Sequence, residues 1–252
     1  DIQKMGGLYK IIPFTWIMML IGTLALTGAP LLSGYYSKDA IIESAFVSHA
    51  FGHEYAFYLL VFSALLTSFY SWRLIFLTFH GKTRASQDVL SKAHESPLSM
   101  TIPLLLLSIG ALFSGFLFSD FFLSYELNSL WGNSIYTHPD NHILEEIHHS
   151  PFWVKKIPLV MMIIGFSIAM LFYLLLKNLP SLLSRKMSFI YNFLYNKWYF
   201  DELYNFIFVN PLKRIGNFLW LFFDKKIIDG FGPDGISSLV ISISRKVSKI
   251  QT

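Results

Sequence analysis

The stretch Leu20 to Glu43, LIGTLALTGAPLLSGYYSKDAIIE, places one lysine and two acids in a segment that is otherwise largely apolar. A charged side chain near the centre of a bilayer costs on the order of 3 kcal/mol on insertion scales. Lys38, Asp39 and Glu43 are therefore poor choices for anchoring alone. Their position indicates a polar path through a membrane.

A helix break is predicted just before these charges. The uncharged run 11–37 contains Gly28, Pro30 and Gly34 within a few residues, and Gly and Pro at this density interrupt a helix. Irregular backbone at membrane depth is tolerated only inside protein or along a water-filled cavity, and transporters use broken helices to expose backbone groups beside a binding site. We predict an interruption between about Gly28 and Asp39.

A simpler alternative is that residues 34–38 form a cytoplasmic loop between two spans, with Lys38 as a solvated cation. The apolar character continues after the charges, which favours a position for Lys38 inside a second hydrophobic segment. The residues that continue it are Ala40, Ile41, Ile42, Ala45, Phe46 and Val47.

The composition is typical of a polytopic membrane protein, because 54% of the residues are hydrophobic and only 14% are charged. A net charge of +4 over 252 residues is too small to indicate nucleic-acid binding. The absence of cysteine excludes a cysteine-ligated iron–sulfur cluster, a disulfide and a thiol nucleophile in this sequence. No charged region precedes the first apolar run after Asp1, so we expect no signal peptide and expect an excerpt of a longer chain.

The predicted fold class is all-α, a polytopic transmembrane bundle over residues 1–178 with about five spans, one of them discontinuous. Arg73, near the end of the third span, is expected to snorkel to the interface. Small residues along the fourth span are expected to let helices approach closely. They are Ser108, Gly110, Ala111, Ser114 and Gly115. The predicted spans are residues 12–32, 32–51, 55–80, 97–122 and 157–176.

The distribution of Lys and Arg predicts the orientation. If each span crosses, Lys82, Arg84 and Lys92 share a side with the basic tail after Lys177, and that side is expected to be cytoplasmic. The opposite side then carries the remaining lysines that flank spans and a histidine-rich loop. These lysines are Lys4, Lys10, Lys155 and Lys156.

The histidine-rich loop carries a metal-like spacing, because His138 and His142 are four residues apart and Glu145 follows. Such spacings arise by chance in histidine-rich loops, and no His-Glu-x-x-His order is present. We predict a solvated loop and no metal site.

Residues 179–252 are predicted to form a long amphipathic helix region that lies along the membrane surface. Charges interrupt each apolar segment before about 18 apolar residues accumulate, which argues against a span. One apolar stripe recurs at spacings of four and three. It comprises Phe208, Leu212, Ile215, Leu219 and Phe222, and we expect it to dock on lipid headgroups or neighbouring subunits.

The run LTGAPLLSGYYSKDAIIE, with DIQKMGGLYKIIP at residues 1–13, resembles the antiporter-like proton-pumping subunit of respiratory complex I, called chain 5 or chain L. The stretches NKWYFDELYNFIFVNPLKRIG and DGFGPDGISS are similar to the lateral-helix segment of that subunit. The resemblance covers the carboxy-terminal part of the family's subunit. It implies that Lys38 lies at the break of a discontinuous helix and serves proton release, with Asp39 beside it.

Adjacent helical residues do not face each other, so Asp39 can pair directly with Lys38 only if the helix is broken there. Glu43 lies on the face of Asp39. We expect Lys38, Asp39 and Glu43 to form a proton relay.

The resemblance implies a location in the bacterial or mitochondrial inner membrane, with other membrane-arm subunits and lipid as partners. No cofactor is expected in this chain, and NADH, FMN, iron–sulfur clusters and quinone are expected in partner subunits. Two alternatives stay open: the related core component of a multi-subunit sodium/proton antiporter, or a structural clamp without transport. Residues 198–204 and 230–235 favour complex I over the antiporter. Lys38 argues against the clamp, because a clamp does not need an ionisable group at the break.

Overall fold

The computed structural model describes residues 1–123, 131, 132, 134, 138 and 141–250. These residues fall into two compact units, Asp1–Pro180 and Ser181–Thr252, and each is described by itself. The described residues are predominantly helical and contain no strand, which confirms the all-α fold class.

The described residues of the first unit form seven α-helices. Three of them are long and apolar enough to cross a membrane: His53–Phe79 (α3), Leu98–Leu123 (α5) and Phe152–Leu175 (α7 with its continuation). The helices are α1 Pro13–Thr27, α2 Ser33–Val47, α3 His53–Phe79, α4 Gln87–Leu90, α5 Leu98–Leu123, α6 Ile143–His148 and α7 Phe152–Met170, which continues as a π-helical turn over Leu171–Leu175.

The predicted first and second spans are two half-length helices. Helices α1 and α2 contain 15 residues each, about 22 Å, whereas a hydrocarbon core is about 30 Å thick. Helix α1 packs near the end of α3 that contains Phe79, and α2 packs near the beginning of α3, at Phe57. Because they pack at the two ends of α3, they predict one discontinuous crossing, and so four crossings for the described residues of the first unit rather than about five.

Two buried clusters mark the two ends of the helix bundle. Helices α3 and α7 run parallel through both clusters, with Val154 packed near Phe57 and Ala169 near Phe76. Gly165 lies so close to α3 that a Cβ atom there would be 2.5 Å from the carbonyl oxygen of Leu65. Small residues thus allow the two backbones to approach closely, as expected for helices in lipid.

Helix α5 approaches α2 in the same way. A Cβ atom on Gly115 would lie 2.7 Å from the Cα atom of Ser33, and Ser108 is also buried. This confirms the predicted close approach for Gly115, whereas Gly110 has open space around it.

A glutamate before α5 caps α1. The Glu95 carboxylate accepts hydrogen bonds from the backbone N–H groups of Phe14 and Thr15 at 2.7 and 3.1 Å and from the Thr15 hydroxyl at 2.8 Å. Partial burial acts to raise the pKa of Glu95, but these hydrogen bonds, together with one from the Ser96 backbone, hold the pKa below its usual value. The first turn of α1 is therefore satisfied by another segment of the chain.

The amino-terminal segment lies at the same end of the bundle as the loop after α3. Arg84 donates to the carbonyl oxygens of Gln3 and Ile2 at 2.7 and 3.0 Å, and Gly7 N–H donates to His80 O at 3.2 Å. We call this end of the bundle the basic end. Lys82, Arg84 and Lys177 line one cavity there.

The predicted distribution of lysines was therefore wrong for Lys4 and Lys10. Both belong to the basic end, because α1 and α2 together cross only once. Lys155 and Lys156 begin α7 at the opposite end. With this grouping, the positive-inside rule predicts a cytoplasmic side for the basic end, as the count along the sequence did.

Arg73 lies six residues before the end of α3, half-buried. Its guanidinium carbon is 5.7 Å from the centroid of the Tyr173 ring, and its Nε atom is buried without a hydrogen-bond partner among the described residues. The cation–π contact with the end of α7 is a structural role for this side chain.

The second unit consists of helices with side chains that are mostly exposed. Lys197, Trp198 and Tyr199 have positive φ angles, a conformation that costs non-glycine residues about 1–2 kcal/mol each. The ion pair between Lys197 and Asp201 at 2.9 Å stabilises this corner and raises the pKa of Lys197. The helices are α8 Leu179–Lys186, which begins at the unit boundary, α9 Ser188–Tyr195, α10 Phe200–Tyr204, α11 Asn210–Leu219 and α12 Pro233–Ser248, with π-helical turns Asn205–Val209 and Trp220–Asp229.

The four-crossing topology predicts which residues share a membrane face. The sequence contains no cysteine, so single-cysteine variants report one position each. We expect Lys4→Cys and Lys92→Cys to react with a membrane-impermeant maleimide from the same face, and Phe51→Cys to react from the other. Labelling is measured on right-side-out and inverted vesicles. Reaction of Lys4→Cys and Phe51→Cys from one face would contradict the single discontinuous crossing.

Candidate functional site

The break between α1 and α2 spans residues 28–32. Gly28 adopts a left-handed conformation, with φ of 84°, and its N–H donates to carbonyls of the last turn of α1. Leu31, a non-glycine residue, has a φ of 73°, which indicates local strain. The break is shorter than predicted, because α2 begins at Ser33 and continues through Asp39.

Gly34 therefore lies in the first turn of α2 and not in the break, which corrects its predicted role. A Cβ atom at Gly34 would overlap the carbonyl oxygen of Ala25. Glycine is required here because the two half-helices touch backbone to backbone. Gly28 and Pro30 do lie in the break, as predicted.

Lys38 binds the end of α1. Its Nζ atom donates to the carbonyl oxygen of Leu26 at 3.4 Å. The last carbonyls of a helix lack intrahelical partners and carry partial negative charge, so an ammonium group there is favourable by about 0.3–2 kcal/mol. The amide N–H groups of Gly28 and Ala29 satisfy carbonyls of Leu24 and Ala25 but leave Leu26 to Lys38.

The alternative in which Lys38 is a loop cation does not agree with this geometry. Residues 34–38 are helical, Lys38 is half-buried, and α2 begins beside Gly115, well inside α5. Lys38 therefore lies within the discontinuous crossing and not in a connection between two crossings.

Asp39 and Glu43 lie on the buried face of α2, each with 8% of its surface exposed. Their spacing of four residues puts them on one face, as predicted. Asp39 makes no ion pair with Lys38 within 4 Å among the described residues, which agrees with an unbroken helix at these positions. Lys38 and Lys156 nevertheless both act electrostatically on Asp39.

Residues from α7 and from the connection before it complete the polar cluster around Asp39 and Glu43. They are more than 100 positions from α2 in the sequence, and no pattern in the sequence indicated the contact. The Ser150 hydroxyl donates to Oε2 of Glu43 at 3.0 Å, and Ser150 is buried. Lys155 and His148 act electrostatically on Glu43. We define the relay cluster as Lys38, Asp39, Glu43, Ser150, Lys155 and Lys156.

The relay cluster is arranged along α2 from the break toward the end of the bundle opposite the basic end. Lys38 is at the break, Asp39 follows it, and Glu43 lies beside Ser150 at the start of α7. The arrangement can pass a charge, or a proton, from a lysine to two carboxylates in turn.

The histidine-rich loop is partly described. The Nδ1 atom of His142 lies 3.2 Å from Oε2 of Glu145, and the Nε2 atom of His49 lies 3.6 Å from Oε2 of Glu146. In residues 1–123 and 141–250, with the four described positions between them, no three metal-binding side chains converge.

The predicted docking stripe lies on α11 and the π-helical turns beside it. Its members are exposed to between 41% and 64% within the second unit, so this surface is available for contacts outside that unit. They are Phe208, Leu212, Ile215, Leu219 and Phe222.

Family models match two parts of the chain. Residues 1–67 match the model described as NADH:quinone oxidoreductase/Mrp antiporter, TM, which includes the break and the cluster residues of α2. Residues 142–252 match the model described as NADH dehydrogenase subunit 5 C-terminus, which includes Ser150, α7 and the second unit.

Curated relatives match the chain from end to end. NADH-ubiquinone oxidoreductase chain 5 of Phytophthora infestans is 39% identical over 100% of this chain and 38% of its own length. NADH-quinone oxidoreductase subunit L of Rickettsia bellii is 40% identical over 100% of this chain and 39% of its own length. The subunit L of Rhodobacter capsulatus is 36% identical over 91% of this chain and 41% of its own length. The chain thus spans about two fifths of the length of these relatives.

The contact between Gly34 and Ala25 makes a prediction about the break. Gly34→Ala should destabilise the protein by more than about 2 kcal/mol, because the new methyl group meets backbone that cannot rotate away. Gly110→Ala adds the same methyl group where no described atom beyond its own stretch of helix lies within 4 Å, and it serves as the control. The measurement is the melting temperature of the detergent-solubilised protein. Equal melting temperatures for both variants would contradict the backbone contact at Gly34.

Proposed function

Because the chain belongs to the NADH dehydrogenase chain 5 and subunit L family, we propose that it acts in proton translocation by an NADH:quinone oxidoreductase, respiratory complex I. The chain is a multi-pass protein of the bacterial or mitochondrial inner membrane. In this proposal it couples electron transfer elsewhere in the complex to proton movement, and it carries no redox chemistry itself.

The observation that carries this proposal is the position of Lys38 at the end of α1. Within the described part of the chain, its ammonium group is held by a single backbone carbonyl at 3.4 Å and is not fixed in a salt bridge. A small relative movement of α1 and α2 changes the distance from the Lys38 ammonium group to the carbonyl oxygen of Leu26, and thereby the preference of the amine for its proton. Because the two side chains leave an unbroken helix in different directions, the proton passes from Lys38 to Asp39 through intervening water, leaving a neutral amine and a neutral acid.

Glu43 extends the relay toward the face opposite the basic end. It follows Asp39 by one helical turn on the same buried face. Ionisable groups inside a membrane protein mark ion pathways, because their cost in an apolar environment is not otherwise compensated. We assign the relay role to Lys38, Asp39 and Glu43.

The partners in this proposal are the other membrane-arm subunits of the complex and the lipid bilayer. NADH, FMN, iron–sulfur clusters and quinone are assigned to partner subunits. The stripe of Phe208, Leu212, Ile215, Leu219 and Phe222 is assigned to docking as part of a lateral amphipathic helix region over residues 179–252.

A component of a sodium/proton antiporter is the second candidate, because the family description for residues 1–67 includes the Mrp antiporter. The match of residues 142–252 to the subunit 5 carboxy-terminal family favours complex I. Co-purification with NADH-oxidising subunits distinguishes the two candidates.

Substitution of Lys38 tests the relay. Lys38→Ala in the full-length chain should reduce the number of protons pumped per electron, and electron transfer between artificial donors and acceptors should stay largely intact. Lys38→Arg keeps a positive donor for Leu26 O but should not restore pumping, because a guanidinium group does not release its proton in this range. The measurement is proton pumping by membrane vesicles relative to NADH oxidation.

Lys92→Ala, an exposed lysine in the loop before α5, is the matched control and should pump normally. The amount of assembled complex is determined first for each variant. Assembled Lys38→Ala complexes that pump with wild-type stoichiometry would refute the proposal, and so would full pumping by Lys38→Arg.

The docking stripe makes a separate prediction about assembly. Phe208→Asp and Leu219→Asp should lower the amount of intact complex, because a carboxylate on a docking face opposes burial of that face. Asn217→Asp introduces the same charge on the same helix away from the stripe and should assemble normally. Native gel electrophoresis of solubilised membranes gives the yield, and equal yields for the three variants would exclude the docking role.

A further inference from the structure

Ser150, in the bend between α6 and α7, has an interaction that differs from those of several helical serines in the bundle. Ser44, Ser108 and Ser167 each donate to the carbonyl oxygen four residues earlier in their own helix. Ser150 instead donates to Glu43, across 107 positions of sequence, at 3.0 Å. A buried hydroxyl outside any helix thus donates to a buried carboxylate of a different element.

Ser150 also lies between Glu43 and the exposed end of α6. It is buried, with 8% of its surface exposed, whereas His148 and His149 just before it are exposed. Lys155 Nζ donates to the carbonyl oxygen of His148 at 2.9 Å and so fixes a cation beside this connection. The charged groups that act on Glu43 here are Lys155 of α7 and His148 of α6.

These contacts connect the carboxyl group of Glu43 to the surface of the bundle through polar groups. Its hydrogen-bond partner leads from the interior of the bundle to the connection between α6 and α7, and that connection lies at the end opposite the basic end. Lys155 and Lys156 attract the ionised forms of the two carboxylates and oppose the return of a proton from outside.

We infer that Ser150 carries the proton of Glu43 to the aqueous face opposite the basic end, as the last protein group of the relay. This inference rests on the proposed function, because it requires protons to reach Glu43 from Lys38 and Asp39.

The transfer balances in protons and electrons. The protonated carboxyl group of Glu43 gives its proton to Oγ of Ser150, and the O–H bond of the hydroxyl breaks as its own proton passes to water. Glu43 is left ionised and Ser150 neutral. Rotation of the new hydroxyl hydrogen toward Oε2 then restores the hydrogen bond that the structure shows.

The experiment compares Ser150→Ala with Ser150→Thr in the complete, assembled complex. Ser150→Ala should slow proton pumping about tenfold, the factor that loss of a hydrogen bond to a charged group produces. Ser150→Thr keeps the hydroxyl and should stay within about twofold of wild type. Ser44→Ala removes a hydroxyl that donates within its own helix, α2, and should pump normally.

Pumping is measured as the initial rate of proton movement in vesicles, divided by the rate of NADH oxidation. If Ser150→Ala does not assemble, Ser150→Cys gives the test, because a thiol is a weaker donor and should give an intermediate rate. Assembled Ser150→Ala or Ser150→Cys complexes with the wild-type rate would overturn the inference.

Lys38→Ala, measured in parallel, separates this inference from the proposed function. Normal pumping by Lys38→Ala refutes the proposed function and the inference with it. Impaired pumping by Lys38→Ala together with normal pumping by Ser150→Ala refutes the inference alone. Impairment of both, with activity retained by Ser150→Thr and Ser44→Ala, supports the exit through Ser150.

Discussion

The hydrogen bond from Lys38 to the carbonyl oxygen of Leu26 is the interaction on which the discontinuous crossing depends. A helix that ends inside a membrane leaves carbonyl groups that neither water nor its own backbone can satisfy, and each such group costs several kcal/mol in hydrocarbon. Lys38 satisfies one of them and places its charge where the dipole of α1 is negative. The break and the lysine therefore stabilise each other.

The rest of the first unit supports this arrangement. Two 15-residue helices cannot cross alone, so they need α3, which is long enough to contact both of them. Glu95 satisfies the beginning of α1, and Gly115 lets α5 approach the beginning of α2. The half-helices are thus held at their ends and at their junction by separate elements, which is a geometry that allows small relative movements without loss of the fold.

Charge is distributed unevenly along the bundle. The amino-terminal segment and the loop after α3 both lie at the basic end. They share this end because α1 and α2 form a single discontinuous crossing in place of two separate crossings. The opposite end has the two lysines of α7, and these act on the carboxylates of α2. The proposed relay from Lys38 to Glu43 and Ser150 therefore proceeds toward cations, which favour ionised carboxylates after a proton has left.

The sequence by itself determined the helical class, the apolar segments, the break near Gly28 and Pro30, and the face shared by Asp39 and Glu43, since these follow from local composition and helical spacing. The tertiary structure decided how the segments combine. It joined α1 and α2 into one crossing, moved Lys4 and Lys10 to the basic end, and placed Gly34 at a backbone contact. It also brought Ser150 to Glu43. Contacts between residues 107 positions apart depend on how helices pack, and helical periodicity carries no information about that packing.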